Sequence, residues 1–243
     1  MGRVMVTSVE SNPIGVPLRT PTSGLETELV SGFVEGFVSR CKQSSTSSVS
    51  VFVEPRLEHG YPDLLIVYYN PRRVTLWREN RDSLTKREFR ILSYLLKHQR
   101  RKHTTASVSG DLGFSVSQVS TSLELLQNCG FLTETNEKWQ CMNKTSFFAL
   151  NRVVSIEAKI CKPAKALEQA VKNTVFSSQS YSLFPSGSVF ASTRSRFADW
   201  GVGIISGRAG KVVLEAVSKP VPVCTTSLRV NEWVARQDAE VMG

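Results

Sequence analysis

Residues 63–70 read DLLIVYYN, an apolar run without alternation. A strand carrying Leu64, Leu65, Ile66 and Val67 in succession offers a hydrophobic side chain to both faces. It therefore belongs in the middle of a sheet that is covered on both sides. RVVSIEAKI (152–160) reads as a second buried strand, and VSVFVEPRLE (49–58) as an alternating, β-branched one. Two amphipathic helical stretches accompany them. GLETELVSGFVEGFVSR (24–40) repeats Leu25, Leu29, Phe33, Val34, Phe37 and Val38 at three- and four-residue spacing, and KPAKALEQAVKNTVFSS (162–178) opens with Pro163 in the first turn, where proline is tolerated. QSYSLFPS reads as a short strand, and 194–218 as a helical turn, a strand, a Gly-centred turn and a last strand. HGYP (59–62) is a turn signal ahead of the central run. The fold expected is a mixed α/β sheet flanked by helices on both faces.

Between the two halves, residues 83–150 differ in character. SLTKREFRILSYLLKH has a Ser or Thr cap, Glu88 soon after, and Phe89, Leu92, Leu95 and Leu96 at helical spacing. A short helix ending at Gly113 follows, then a third with Val116, Val119, Leu123 and Leu126 inward and Gly130 as its stop. LTETNEKWQCMNKTSFFAL reads as two short strands around an Asn-Glu turn. The organisation expected is an extended arm at 1–22, a core in two parts at 23–82 and 151–219, an insert at 83–150, and a C-terminal tail at 220–243 carrying a short helix, NEWVARQDAEVM.

Charge is uneven. The net charge is +9, and Arg72 to His103 holds eleven Lys/Arg against Glu79, Asp82 and Glu88, so that window alone carries +8. A local excess of this size suits a polyanionic partner, because phosphate contacts release counterions. Some chemistries are not indicated. The five cysteines form no CxxC pair, and His59, His98 and His103 show no metal spacing. GVGIISG follows no strand-to-helix pattern for cradling phosphate, and Trp77, Trp139 and Trp200 read as packing residues. No apolar run approaches the ~20 residues of a membrane helix, and the first residues lack an apolar signal region. A cytoplasmic protein with no membrane partner is expected.

The helix, short helix, helix and hairpin of 83–150 resemble the winged helix-turn-helix domains of bacterial regulators, through the phrase SVSQVSTSLELLQNCGFL and the tail EKWQC. The resemblance implies that the third helix enters the major groove of double-stranded DNA, with Ser115, Ser117, Gln118, Thr121 and Ser122 facing it. Arg87, Arg90, Arg100, Arg101 and Lys102, on or beside the first helix, would supply the attraction.

In a strand, residues two apart point the same way, so Glu157 and Lys159 share a face. Burial of such groups without partners is costly, so they either pair as a structural salt bridge or line a site. Asp63, at the start of the central run, sits where strand ends converge. Pro62-Asp63, Glu157-Ala158-Lys159 and the following helix with Gln169 together resemble the PD-(D/E)xK, or restriction-endonuclease-like, nuclease superfamily over residues 24–70 and 151–217. The resemblance implies that Asp63 and Glu157 hold Mg²⁺ or Mn²⁺ with help from the Ala158 carbonyl, that Lys159 positions the attacking water, and that Gln169 hydrogen-bonds nearby. Archaeal Holliday-junction resolvases of this kind open with a helix whose glutamate reaches the metal. Glu26 in GLETELV corresponds, and at ~100° per residue it falls inside the helix's apolar arc, unlike Glu28 and Glu35. Lys172 and Asn173 read equally as phosphate contacts or solvated polar positions. The family usually has a short hairpin where this chain has about 80 residues, an insertion best tolerated at a hairpin tip. The function expected is a DNA-binding, metal-dependent endonuclease hydrolysing phosphodiester bonds. The alternative is a sequence-specific DNA-binding regulator whose nuclease-like core is a non-catalytic scaffold or dimerisation unit, which leaves a homodimer open.

Overall fold

The computed structural model describes residues 3–41, 46–58, 62–74, 79–187 and 191–242. His59, most of the HGYP turn, Trp77 and Arg78 lie outside the described residues. The chain divides into two compact units, one from 1–71 and 150–222, the other from 72–149 and 223–243.

The first unit is an α/β sheet of seven strands. They are β1 (Val4–Thr7), β2 (Ser48–Val53), β3 (Leu64–Tyr69), β6 (Leu150–Ala158), β7 (Gln179–Phe184), β8 (Gly203–Ser206) and β9 (Lys211–Leu214), in that spatial order, β4 and β5 belonging to the other unit. The sheet is mixed: β1 runs parallel to β2, β6 to β7 and β7 to β8, while β2–β3, β3–β6 and β8–β9 are antiparallel. The apolar run at 64–69 is β3, between β2 and β6, with Leu64, Leu65, Val67 and Tyr69 fully buried. Parallel neighbours need crossovers. Helix α5 (Pro163–Asn173) links β6 to β7, and α6 (Ala191–Asp199) links β7 to β8.

The two faces pack on different helices. Leu29, Val30 and Phe33 of α1 (Leu25–Arg40) meet Val51, Leu64, Ile66, Val154, Ile156 and Leu183 on one side. Ala166, Leu167 and Ala170 of α5 and Phe197 of α6 meet Phe184 and Ile204 on the other. Serines keep the second interface close: the hydroxyls of Ser180 and Ser182 donate to the Ala170 and Ala166 carbonyls of α5.

The N-terminal segment, expected as an extended arm, is tied to the sheet. It adds β1 to the sheet edge, buries Ile14 and Val16, and pairs Leu18 with Pro55. Its lack of periodicity reflects short pairings held by tertiary contacts, which no local pattern announces.

The second unit contains α2 (Lys86–Lys97), α3 (Thr105–Leu112), α4 (Val116–Asn128) and the hairpin β4 (Leu132–Thr135)–β5 (Lys138–Cys141). Capping boxes open α2 at Thr85/Glu88 and α4 at Ser115/Gln118, and Gly113 ends α3 in the left-handed region. Asn136 and Glu137 both take positive φ, which a two-residue hairpin turn requires. Phe89, Leu92, Leu95, Val108, Val119, Leu123 and Leu126 form its interior, but Val116 is 56% exposed. Val116 is the first residue of its helix, ahead of the first turn that packs inward.

The last segment is a helix of 18 residues, α7 (Thr225–Met242), longer than the short one expected, and it packs on α2. Asn231 explains its anchorage: its side chain accepts from the Ala149 amide at 2.7 Å and donates to the Phe147 carbonyl at 3.0 Å.

Gly203 of β8 sits where the sheet leaves no room for a side chain. A β-carbon there would overlap the Tyr181 ring and come within 2.7 Å of the Ala216 amide nitrogen. Gly203→Ala is expected to destabilise the protein by about 1–3 kcal/mol through overpacking. Thermal denaturation of the variant beside the parent checks this.

Candidate active site

Three strand ends meet at one edge of the sheet. In the β2–β3 ladder Val53 faces Leu64, and the Glu54 amide donates to the Asp63 carbonyl at 2.9 Å, so Glu54 lies beside Asp63. In the β3–β6 ladder Leu64 faces Ile156, and continuing that register by one sets Asp63 opposite Glu157. Glu54, Asp63 and Glu157 thus form a row across β2, β3 and β6. Pro55 and Pro62 stand on the flanks of the β2–β3 connection, where a missing amide hydrogen suits a strand end.

All three acids are buried, Glu54 and Asp63 to 7% exposure and Glu157 to 2%. Each takes a different set of partners. Asp63 Oδ2 accepts from the Ala158 amide at 2.7 Å and lies 3.8 Å from Lys159 Nζ, while Oδ1 is 3.4 Å from Arg19 Nη2. Glu54 Oε2 accepts from Arg19 Nε at 2.8 Å and also from Nη2. Glu157 Oε1 accepts from the Asn173 amide group of α5 at 2.7 Å. Glu157 Oε2 is buried without a hydrogen-bond partner in the protein, as is Gln169 Oε1.

Strand β6 ends at Ala158. Glu157, within the strand, turns to α5. The Lys159 amide, one residue on, donates to the Leu183 carbonyl at 3.0 Å, and its Nζ donates to Glu26 Oε2 at 3.2 Å and to its neighbour's carbonyl, Ala158 O, at 2.6 Å. The two do not pair with each other; Lys159 bridges Glu26 and Asp63. Glu26 stands in the first turn of α1, half exposed, a favoured place for an acid near uncapped amides.

Arg19, Glu26, Glu54, Asp63 and Lys159 floor a cleft of about 560 Å³, lined also by Thr22, Ser23, Gly24, Lys162, Lys165 and Gln169, with Glu157 buried behind Asp63 and not part of its lining. Lys162 and Lys165 are exposed at the N-terminal end of α5, giving an acidic floor a basic rim. Asn173 is neither a solvated position nor a phosphate contact; it is 1% exposed and bound to Glu157, whereas Lys172 pairs with Glu168 on the helix surface.

Crowding governs the electrostatics. Burial, then the neighbouring Asp63, pushes Glu157 up to about 8. Burial raises Asp63 as well, against Lys159 and the Ala158 amide, and burial with Asp63 raises Glu54 against Arg19. The groups that could offer oxygens to a hard cation are Asp63, Glu157 through Oε2, and the Ala158 carbonyl. Among the described residues, no group of three or more His, Cys, Asp or Glu is gathered closely enough to hold a metal by side chains alone.

Sequence reasoning missed Arg19 and Glu54. The one local signal was Glu54-Pro55 closing a strand; Glu54's φ of 53°, rare for a side-chain-bearing residue, is visible only in the structure.

In the second unit, Arg90, Arg100, Arg101 and Lys102 are exposed, as are Ser115, Ser117, Gln118 and Thr121. Two expectations fail there. Ser122 is fully buried, donating to Glu88 Oε1 at 2.5 Å, and Arg87 is committed to Glu88 and Ser122 rather than free. Burial alone would raise Glu88, but hydrogen bonds from Ser122 and Thr85 overcome it and hold the carboxyl down to about 2. Trp139 is buried as expected, whereas Trp200 is 63% exposed.

Comparison of the chain with family models, with curated proteins and with solved structures finds no match in any of the three. Among the described residues no helix is long and apolar enough to cross a membrane.

The raised Glu157 sets a pH dependence. The folded protein retains a proton that the unfolded chain has lost between its ordinary value of 4.5 and about 8. Metal-free stability should therefore fall as pH rises through that window, and Asp63 and Glu54 act in the same direction. Glu157→Gln is expected to flatten the fall and to stabilise the metal-free protein above pH 8 by on the order of a few kcal/mol. Urea denaturation in EDTA from pH 5 to about 9 reads both.

Proposed function

We propose that the chain binds double-stranded DNA and hydrolyses its phosphodiester bonds at the Asp63–Glu157–Lys159 cluster, as a metal-dependent endonuclease of the PD-(D/E)xK kind. The observation that carries the reading is Glu157 Oε2, a buried carboxylate oxygen without a partner, in register with Asp63. An unpaired buried acceptor is costly unless water or a cation completes it. Asp63, Glu157 and the Ala158 carbonyl would hold Mg²⁺ or Mn²⁺, an oxygen set suited to an ion that keeps several of its waters. Such an ion, when bound, activates water and neutralises charge on a phosphoryl oxygen.

The chain's own residues do the rest. Lys159, held between Asp63 and Glu26, places an ammonium where a water or a phosphate oxygen can be oriented. Glu26 keeps that ammonium turned toward the cleft. Asn173 fixes the Glu157 carboxylate, so that its second oxygen is the one left to bind. Gln169, on the cleft wall, offers a further polar contact. Lys162 and Lys165 on the rim suit the phosphates on either side of the scissile bond. We read the second unit as a winged helix whose exposed Ser115, Ser117, Gln118 and Thr121 approach DNA, with Arg90, Arg100, Arg101 and Lys102 supplying attraction.

A second reading has one observation in its favour. Asp63 and the Ala158 carbonyl are already bonded by Arg19, Lys159 and a backbone amide, as in a structural ion network. The core would then be a scaffold for a DNA-binding regulator.

Incubation of plasmid with Mg²⁺ or Mn²⁺ separates the two. Nicking by the parent protein, reduced by at least about 100-fold in Lys159→Ala, is expected for the endonuclease. Equal nicking by both proteins rejects it, and a preferred sequence bound in EDTA without cleavage under either metal selects the regulator. Neutralising Arg100, Arg101 and Lys102 together is expected to weaken DNA binding and to lower the dependence of log affinity on log salt by about two to three. Titrations at several salt concentrations measure that slope.

A further inference from the structure

The acid row contains one carboxylate and one cation more than the nuclease reading uses. Glu54 is as buried as Asp63 and adjoins it in the ladder, and Arg19 spans the two. The guanidinium is held from its own backbone. The Arg19 amide donates to the Glu54 carbonyl at 2.9 Å, and the Arg56 amide donates to the Pro17 carbonyl at 2.8 Å, so residues 17–19 are stitched alongside 54–56. Upstream, buried Ile14 and Val16 anchor the segment. Glu54 adopts a positive φ while making these contacts, a conformation retained only where its surroundings enforce it.

The arrangement has a consequence for any cation entering the cleft. Asp63 Oδ1 already faces the Arg19 guanidinium, and a divalent ion approaching that carboxylate meets a positive charge fixed beside it. Without the guanidinium, Glu54 and Asp63 would be adjacent buried carboxylates with one fewer compensating charge. Resting on the metal-dependent reading above, we propose that Arg19 is a positioning residue, the resident counter-ion of the Glu54–Asp63 pair, which gives up Asp63 when a divalent cation enters and thereby sets the metal affinity of the acid row. A substituted Arg19 then has two effects of opposite sign. The metal-free protein is destabilised, because the acids lose their cation. Metal binding tightens, because the ion no longer competes with a fixed charge. Loss of packing alone would weaken both.

The experiment uses the full chain without DNA. Mn²⁺ binding is followed by the paramagnetic resonance of the free ion, and melting is measured in EDTA, for the parent, Arg19→Met and Arg19→Lys. Arg19→Met is expected to melt lower in EDTA and to bind Mn²⁺ about three- to tenfold more tightly. Arg19→Lys, which keeps the charge, is expected within about twofold of the parent affinity. Unchanged or weaker Mn²⁺ binding by Arg19→Met overturns the proposal, as does equal tightening in Arg19→Lys. If the parent binds Mn²⁺ and nicks DNA while Arg19→Met binds equally, only the role of Arg19 fails. If neither protein binds Mn²⁺, the metal-dependent reading fails and this inference falls with it. Should Arg19→Met be unfolded in EDTA, folding on addition of Mn²⁺ supports the proposal, and failure to fold with saturating Mn²⁺ overturns it.

Discussion

The structure of the first unit turns on one electrostatic problem: three carboxylates, Glu54, Asp63 and Glu157, are brought together at the ends of three neighbouring strands, below the surface. Nothing in the packing of an α/β sheet requires acids there. Apolar side chains at these positions would cost less, since a buried charge must be paired or neutralised. The protein accommodates the acids with two cations from elsewhere in the chain, Lys159 from the end of β6 and Arg19 from the N-terminal segment, together with the Ala158 amide and Asn173. Even so, burial raises all three carboxyls.

Much of the surrounding architecture serves that convergence. The antiparallel pairing of β2 and β6 against β3 brings the end of two strands to the beginning of the third, so residues 54, 63 and 157 share one edge although about 100 positions separate the outer two. Helices α1 and α5 cover opposite faces, and their first turns both border the cleft through Glu26 and Lys165. Helix starts carry unpaired amides and partial positive charge, which lie here beside the acids. The serines beneath α5 let it approach the sheet closely enough for Asn173 to reach Glu157.

The long connection between β3 and β6 leaves the sheet beside a register shift between Tyr68 and Tyr69. Tyr69 and Leu150 are ladder partners, so the chain departs and returns at adjacent points, and the hairpin pairing closes as if the intervening residues were absent. Those residues, with α7, build a separate hydrophobic interior. Its polar centre is the buried Glu88, bonded by Thr85, Arg87 and Ser122, which ties the start of α2 to the middle of α4. That network buries Ser122 and engages Arg87, while Arg90 on α2 and Arg100, Arg101 and Lys102 in the turn after it stay exposed.

The sequence by itself determined the elements whose periodicity or punctuation is local. Continuous apolar runs made β3 and β6 interior strands, three- and four-residue spacing made α1 and α2, and Thr85-x-x-Glu88 and Ser115-x-x-Gln118 marked two helix starts. It also singled out Asp63, Glu157 and Lys159 as chemically conspicuous, because charged groups in or beside buried strands need a reason. What it did not contain was their partners. Arg19 sits in a stretch without periodicity, and Asn173 reads equally as a phosphate contact or a solvated helix position. Register decided that Glu54 and Glu157 flank Asp63. The placing of α1 and α5 decided that Lys159 meets Glu26 and Glu157 meets Asn173, and the seating of α4 on α2 decided that Ser122 faces inward. The division has a physical reason: backbone propensity and hydrophobic periodicity act over a few neighbouring residues, whereas charge compensation acts through space between segments that only the folded chain brings together.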